Sequence, residues 1–149
     1  MQLDDAATIL GSADFFAICD AEQCRLLAFA SERKRFRPGT VLYSSGETPA
    51  GAHVLVSGTV ATNQQGIDDN PFLIHEPGAV LGAMALLMEK PRQVTVKAVD
   101  AVETLFVPRA AFQKLMQQYP ELAGLAAAKI RRELSGYLGA IEAIRGRIR

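Results

Sequence analysis

The apolar residues of this chain change period twice, which divides it into three parts. Over the first 33 residues the spacing is helical. Ser12 or Asp14 is positioned to cap a short helix through Phe15, Phe16 and Ile18. Asp20 can cap a second, with Glu22 in its first turn and Leu26, Leu27, Phe29 and Ala30 recurring along it. From Arg33 to Pro108 short apolar runs are broken by Gly, Pro, Asn and Asp, as strands are broken by turns. The runs are Lys34–Arg37, Val41–Tyr43, His53–Val56, Thr59–Asn63, Phe72–His75, Ala79–Leu81, Val94–Val99 and Val102–Val107. Short strands at this spacing predict a sandwich or a roll. Ala83–Glu89 departs from the pattern, because its Ala, Met and Leu favour a short helix inside the β region.

After Pro108 the helical period returns. Arg109–Tyr119 reads as one helix, and Pro120 suits the first turn of the next. That last helix carries Leu122, Leu125, Ile130, Leu134, Leu138, Ile141, Ile144 and Ile148 at steps of mostly three or four. The stripe is longer than a small roll can cover, which points to pairing with a second copy of the chain; the alternative is packing back onto its own roll. The expected organisation is one domain over 1–149, with N-terminal helices in 1–33, the β-roll in 34–108 and C-terminal helices in 109–149.

Composition adds few constraints. At 149 residues, 49% hydrophobic and 21% charged, the chain can bury a core without disulfides or metal. Sixteen basic residues balance sixteen acidic ones, so net charge implies no polyanionic partner. The distribution is uneven: residues 1–32 hold six acids against Arg25, and residues 109–149 hold eight bases against three acids. That polarity can steer a partner or pair the two ends of the chain. Cys19 and Cys24, five apart on a stretch read as helical, are expected on different faces, which argues against an intrachain disulfide, and they match no zinc spacing; both read as free thiols, consistent with a reducing cytoplasm. No signal peptide and no membrane-length apolar run is visible.

The chemistry concentrates in Gly78–Ala98. Gly82 lets backbone approach a ligand closely, the amides of Ala83, Met84 and Ala85 open a short helix, and Arg92 follows with a forked, permanent charge. That is the outline of a phosphate site. The run Leu81-Gly82-Ala83-Met84-Ala85-Leu86-Leu87, then Pro91-Arg92-Gln93-Val94-Thr95-Val96-Lys97-Ala98, resembles the phosphate-binding cassette of the cyclic nucleotide-binding domain family. Phe36-Arg37-Pro38-Gly39, Gly46-Glu47, Val54–Val60 and Val107–Phe112 resemble its other segments in the right order.

The resemblance implies a mainly β fold: a jelly-roll-like β-roll of eight short strands with N-terminal helices, a cassette helix and a long C-terminal helix. It implies a regulatory, non-catalytic module for a cyclic nucleotide (cAMP or cGMP) or another small anion. Ligand contacts are expected from Gly82, Ala83, Met84, Ala85, Arg92 and Gln93, with Ser135 a candidate for touching the base. Two positions depart from the family pattern. Its Glu, which binds the ribose hydroxyl, is Ala83 here, a loss of about 1.5–3 kcal/mol. Its small residue after the Arg is Gln93. These departures imply weak or altered nucleotide binding.

Other readings stay open. One is a ligand-free module for dimerisation, through the C-terminal helix, or for docking to a separate effector protein. Another is the sensor fragment of a transcription regulator without its helix-turn-helix. Specific DNA binding needs a recognition helix, and nothing after the long helix supplies one; Met1 favours a complete chain. An enzyme on the related cupin roll needs clustered metal ligands, and the two histidines, His53 and His75, form no His-x-His pair.

Overall fold

The computed structural model describes residues 3–64, 71–92 and 94–132. Helix α1 (Leu3–Ser12) is followed by a 3-10 turn (Phe15–Ile18) and α2 (Ala21–Ala30). Eight strands come next: β1 (Glu32–Phe36), β2 (Val41–Tyr43), β3 (Gly51–Ser57), β4 (Val60–Gln64), β5 (Phe72–Ile74), β6 (Val80–Leu81), β7 (Val94–Ala98) and β8 (Val102–Pro108). A second 3-10 turn (Ala83–Leu86) lies between β6 and β7, and α3 (Arg109–Gln118) follows β8. A further helix, α4, is described over 121–132. The strands form two antiparallel four-stranded sheets in the orders β1-β8-β3-β6 and β2-β7-β4-β5. The expected mainly β roll with flanking helices is the observed architecture.

Strands β3 and β8 explain why the core has two halves. Ala52 and Val54 of β3, with Leu105 and Val107 of β8, face the helices and pack with Leu10, Phe15, Phe16, Leu27, Phe112 and Leu122. Phe15 meets Phe16 edge-on at 5.0 Å, and both rings reach Phe112 at 6.2 Å. The alternate residues Leu55 and Val102 face into the roll, against Tyr43, Val60, Leu81, Val96 and Ala98. Burial on both faces makes β3 a continuous apolar run rather than an alternating one. Gly58 turns β3 into β4 at φ +93°, where a Cβ would lie 2.3 Å from the Ala101 carbonyl oxygen.

Several local expectations change. Phe15–Ile18 is one 3-10 turn, and neither proposed side chain caps it. The Asp14 side chain makes no cap hydrogen bond, and Ser12 Oγ donates back to the Ile9 carbonyl at 2.8 Å. Asp14 instead forms an ion pair with Lys129 of α4 at 2.9 Å. The cassette helix ends at Leu86 rather than Glu89. Asp20 caps α2 as expected. Cys19, however, is not helical: it is extended (φ −97°, ψ 141°), and its thiol hydrogen-bonds with that of Cys24. The expectation of different faces fails because the helix begins after Cys19. Ser135 and residues 133–149 of the apolar stripe lie outside the described residues, as does Gln93.

Candidate functional site

Gly82 is the corner of the site. It ends β6 in the left-handed region (φ +77°, ψ 37°), which a glycine adopts without steric cost, and so turns the chain into Ala83–Leu86. Ala83 and Ala85 are buried, and the Ala85 N–H closes the turn on the Gly82 carbonyl at 2.9 Å. Met84 is half-buried, and its carbonyl accepts from the N–H groups of Leu87 and Met88 at 3.1 and 3.0 Å.

Arg92 reaches the same place from the other side. It lies just before β7 rather than on it, held by two backbone bonds to the turn after β2. Its N–H donates to the Glu47 carbonyl and its carbonyl accepts from the Gly46 N–H, both at 2.8 Å. Glu47 braces that turn by accepting from the Ser44 N–H at 3.0 Å. Gly46-Glu47, quoted above only as a family segment, is thus the clamp that positions Arg92. The guanidinium turns inward, 5.5 Å from the centroid of the Tyr43 ring. Arg92 Nε is buried and, among the described residues, has no hydrogen-bond partner.

Tyr43 joins the two sides, and sequence reasoning missed it. Its side chain is buried, and a Cβ added to Gly82 would lie 3.3 Å from its hydroxyl oxygen. Burial pushes the phenol above its ordinary pKa; the neighbouring Arg92 opposes that rise by charge and by hydrogen bonding. No motif marked Tyr43, because an aromatic closing a short strand reads as core. Beneath it lies His53, its ring stacked on Tyr43 at 6.4 Å and also touching Phe36 and Phe106. His53 Nδ1 and Thr104 Oγ1 are 2.9 Å apart. Burial, with the Lys34 charge adding to it, pushes His53 down to about 4, so the ring is neutral near pH 7.

Arg109 was also missed as a site residue. It opens α3 and its side chain is largely buried; Nη1 donates to the Pro49 carbonyl at 2.8 Å and to the Ala85 carbonyl at 3.1 Å. Nη2 lies 3.6 Å from Glu89. One guanidinium thereby links the cassette turn to the first C-terminal helix. The signal in the sequence was Val107-Pro108-Arg109, read only as a helix start.

The Gly82 corner, the cassette turn and an inward arginine just ahead of β7 coincide with a family profile described as the cyclic nucleotide-binding domain, which matches residues 33–119. The chain belongs to this family. Cyclic nucleotide-binding domains are regulatory rather than catalytic. The chain is 30% identical over 74% of its length to acetyltransferase Pat of Mycolicibacterium smegmatis, of which it covers 33%. It is 30% identical over 60% of its length to the cAMP-dependent protein kinase regulatory subunit of Pyricularia oryzae, of which it covers 23%. It therefore spans about a third or less of these two curated relatives. Among solved structures, a cyclic nucleotide-binding-like protein from Brucella abortus is 34% identical, with a TM-score of 0.64, over 76% of this chain and 99% of that one. As a member of this family the chain is a ligand-sensing regulatory module. Among the described residues no helix is long and apolar enough to cross a membrane, and no cluster of three metal-ligating side chains occurs.

Proposed function

We propose that the chain senses a small phosphate-bearing anion, with cyclic nucleotides (cAMP or cGMP) as the ligand class, through Gly82, Ala83, Met84, Ala85 and Arg92. The observation that carries this reading is Arg92 Nε, buried and without an acceptor among the described residues, beside the left-handed corner of the cassette. An unpaired buried donor on a cation is costly, and an incoming phosphate oxygen relieves that cost with a charge-assisted bond. Gln93, the next residue, is the proposed side-chain contact. Ala83 offers a buried methyl where a ribose hydroxyl needs an acceptor, so affinity is weak. Tyr43 weakens it further, since an anion must draw Arg92 away from the phenol. Binding that moves the cassette turn is transmitted through the Arg109 bond to α3, a two-state element biased by ligand.

Isothermal titration calorimetry with cAMP and with cGMP tests the site. Weak wild-type binding is expected, falling about 10–100-fold in Arg92→Ala. Equal affinity in the two proteins overturns the assignment.

One observation favours a second reading, a ligand-free module for self-association or effector docking: Tyr43 already lies against both sides of the cradle. Leu26, Phe29 and Leu125 add exposed apolar surface on α2 and α4. A concentration-dependent dimer in sedimentation velocity, with no heat from either nucleotide, is the outcome that selects it.

A further inference from the structure

The start of α2 holds a feature unconnected with the cassette. Asp20 and Gln23 form a reciprocal capping box: the Gln23 N–H donates to Asp20 Oδ1 at 2.8 Å, and the Asp20 N–H donates to Gln23 Oε1 at 2.9 Å. A capping box brings the residue before the cap against the residue four beyond it, as a hydrophobic staple. Here those residues are Cys19 and Cys24. Backbone bonds fix both: the Cys19 N–H donates to Phe16 O, and the Cys24 N–H donates to Asp20 O, each at 2.9 Å. The staple consequently consists of two thiols in hydrogen-bonding contact.

The pair also borders open space. Cys19 and Cys24 line an open groove of about 620 Å³ whose opposite wall is Ala7, Thr8 and Gly11 of α1. Cys19 is half-buried and Cys24 buried on its side of the groove, and the small side chains of the facing wall leave room for a small reagent beside Cys19. The bond from Cys19 holds the Cys24 thiol below its ordinary range, while the same contact raises Cys19. Two neighbouring thiols give any sulfur that is oxidised a partner to resolve it, the arrangement that makes cysteine oxidation selective.

We propose that Cys19 and Cys24 form a redox-active dithiol which a peroxide oxidises to an intrachain disulfide. One of the two sulfurs, as its thiolate, attacks one peroxide oxygen, the O–O bond breaks, and the departing hydroxide takes up a proton to leave as water. The other Sγ then attacks the resulting sulfenic acid at sulfur, the S–O bond breaks, and a second water leaves with the proton of that thiol. In sum, two thiols and one hydrogen peroxide give one disulfide and two waters; the sulfurs lose two electrons and the peroxide gains them. The product turns the N-terminal staple of α2 from a contact into a covalent bond.

The reduced full-length chain treated with hydrogen peroxide, alkylated with iodoacetamide and digested with trypsin provides the test. Both cysteines lie in the peptide ending at Arg25, the first basic residue of the chain. The expected result is loss of both alkylations and of about 2 Da from that peptide, the mass of two hydrogens, with both alkylations restored by dithiothreitol. Cys19→Ser and Cys24→Ser should each abolish that loss and leave the remaining sulfur oxygenated or bridging two chains. The wild-type peptide decides without the variants: two cysteines still alkylated, sulfurs carrying oxygen, or bridges only between chains would overturn the proposal.

Discussion

Two polar groups flank the Tyr43 ring and are treated in opposite ways. His53 is sealed: aromatic rings surround it, its Nδ1 meets Thr104 Oγ1, and burial keeps it neutral. Arg92 carries a permanent charge, rests on the face of Tyr43, and keeps a buried Nε without an acceptor among the described residues. A polar group whose bonds are made inside the protein is structural, since loss of its partner harms only the fold. A polar group left short of a partner is a standing cost, retained where something else supplies the partner. The difference separates scaffold from site, with Tyr43 as the boundary between them.

The largest expected break in this contrast comes from acid. His53 has a folded pKa of about 4 against an ordinary value of 6.5, so the unfolded chain binds its proton first as pH falls. The stability His53 contributes is full above pH 6.5, declines between 6.5 and about 4, and levels off below; the loss approaches about 3 kcal/mol. Chemical denaturation from pH 7.5 to 4, compared between wild type and His53→Gln, should show a steeper acid slope in wild type. Parallel slopes would place His53 in water. Next in size is Thr104→Val, which leaves His53 buried without its partner and should cost about 1–3 kcal/mol. The double variant His53→Phe with Thr104→Val should recover much of that loss, because neither polar group then remains.

The cradle side should respond less in stability. Gly82→Ala forces an L side chain into the left-handed region and places its Cβ 3.3 Å from the Tyr43 hydroxyl, for about 1–2 kcal/mol. Arg92→Leu is the smallest. Loss of the ring contact costs about 0.5–1 kcal/mol, and relief of the unpaired Nε offsets it, so the thermal midpoint should stay near wild type. In that variant the Tyr43 phenol should titrate at still higher pH, since Arg92 opposes the effect of burial; alkaline difference spectra read this directly. A strongly destabilised Arg92→Leu would make Arg92 as structural as His53 and erase the contrast.

The scaffold was far more legible in the sequence than the site. Turn residues at fixed intervals located the eight strands to within a residue or two, and Asp20 announced α2, because those signals are local. The cassette corner was legible as well, since Gly82 acts through its own φ. What stayed hidden depends on partners far along the chain or on the backbone of a single residue just outside a helix. Tyr43 gains its role from Gly82 and Arg92, and Arg109 from carbonyls 24 and 60 positions away. Cys19 is the opposite case: the misreading was local, because a residue ahead of the Asp20 cap lies outside α2 and takes an extended backbone.

The Arg109 joint bears on how the domain can be instrumented. One guanidinium grips both the loop entering β3 and the carbonyl at the heart of the cassette turn, so displacement of that turn loads the root of α3 before any more distant part of the chain. A fluorophore pair reporting on this protein belongs across that root, with one dye near Glu89 and the other beyond Tyr119. Replacing Arg109 with leucine removes the one nitrogen that both carbonyls share and would silence such a reporter.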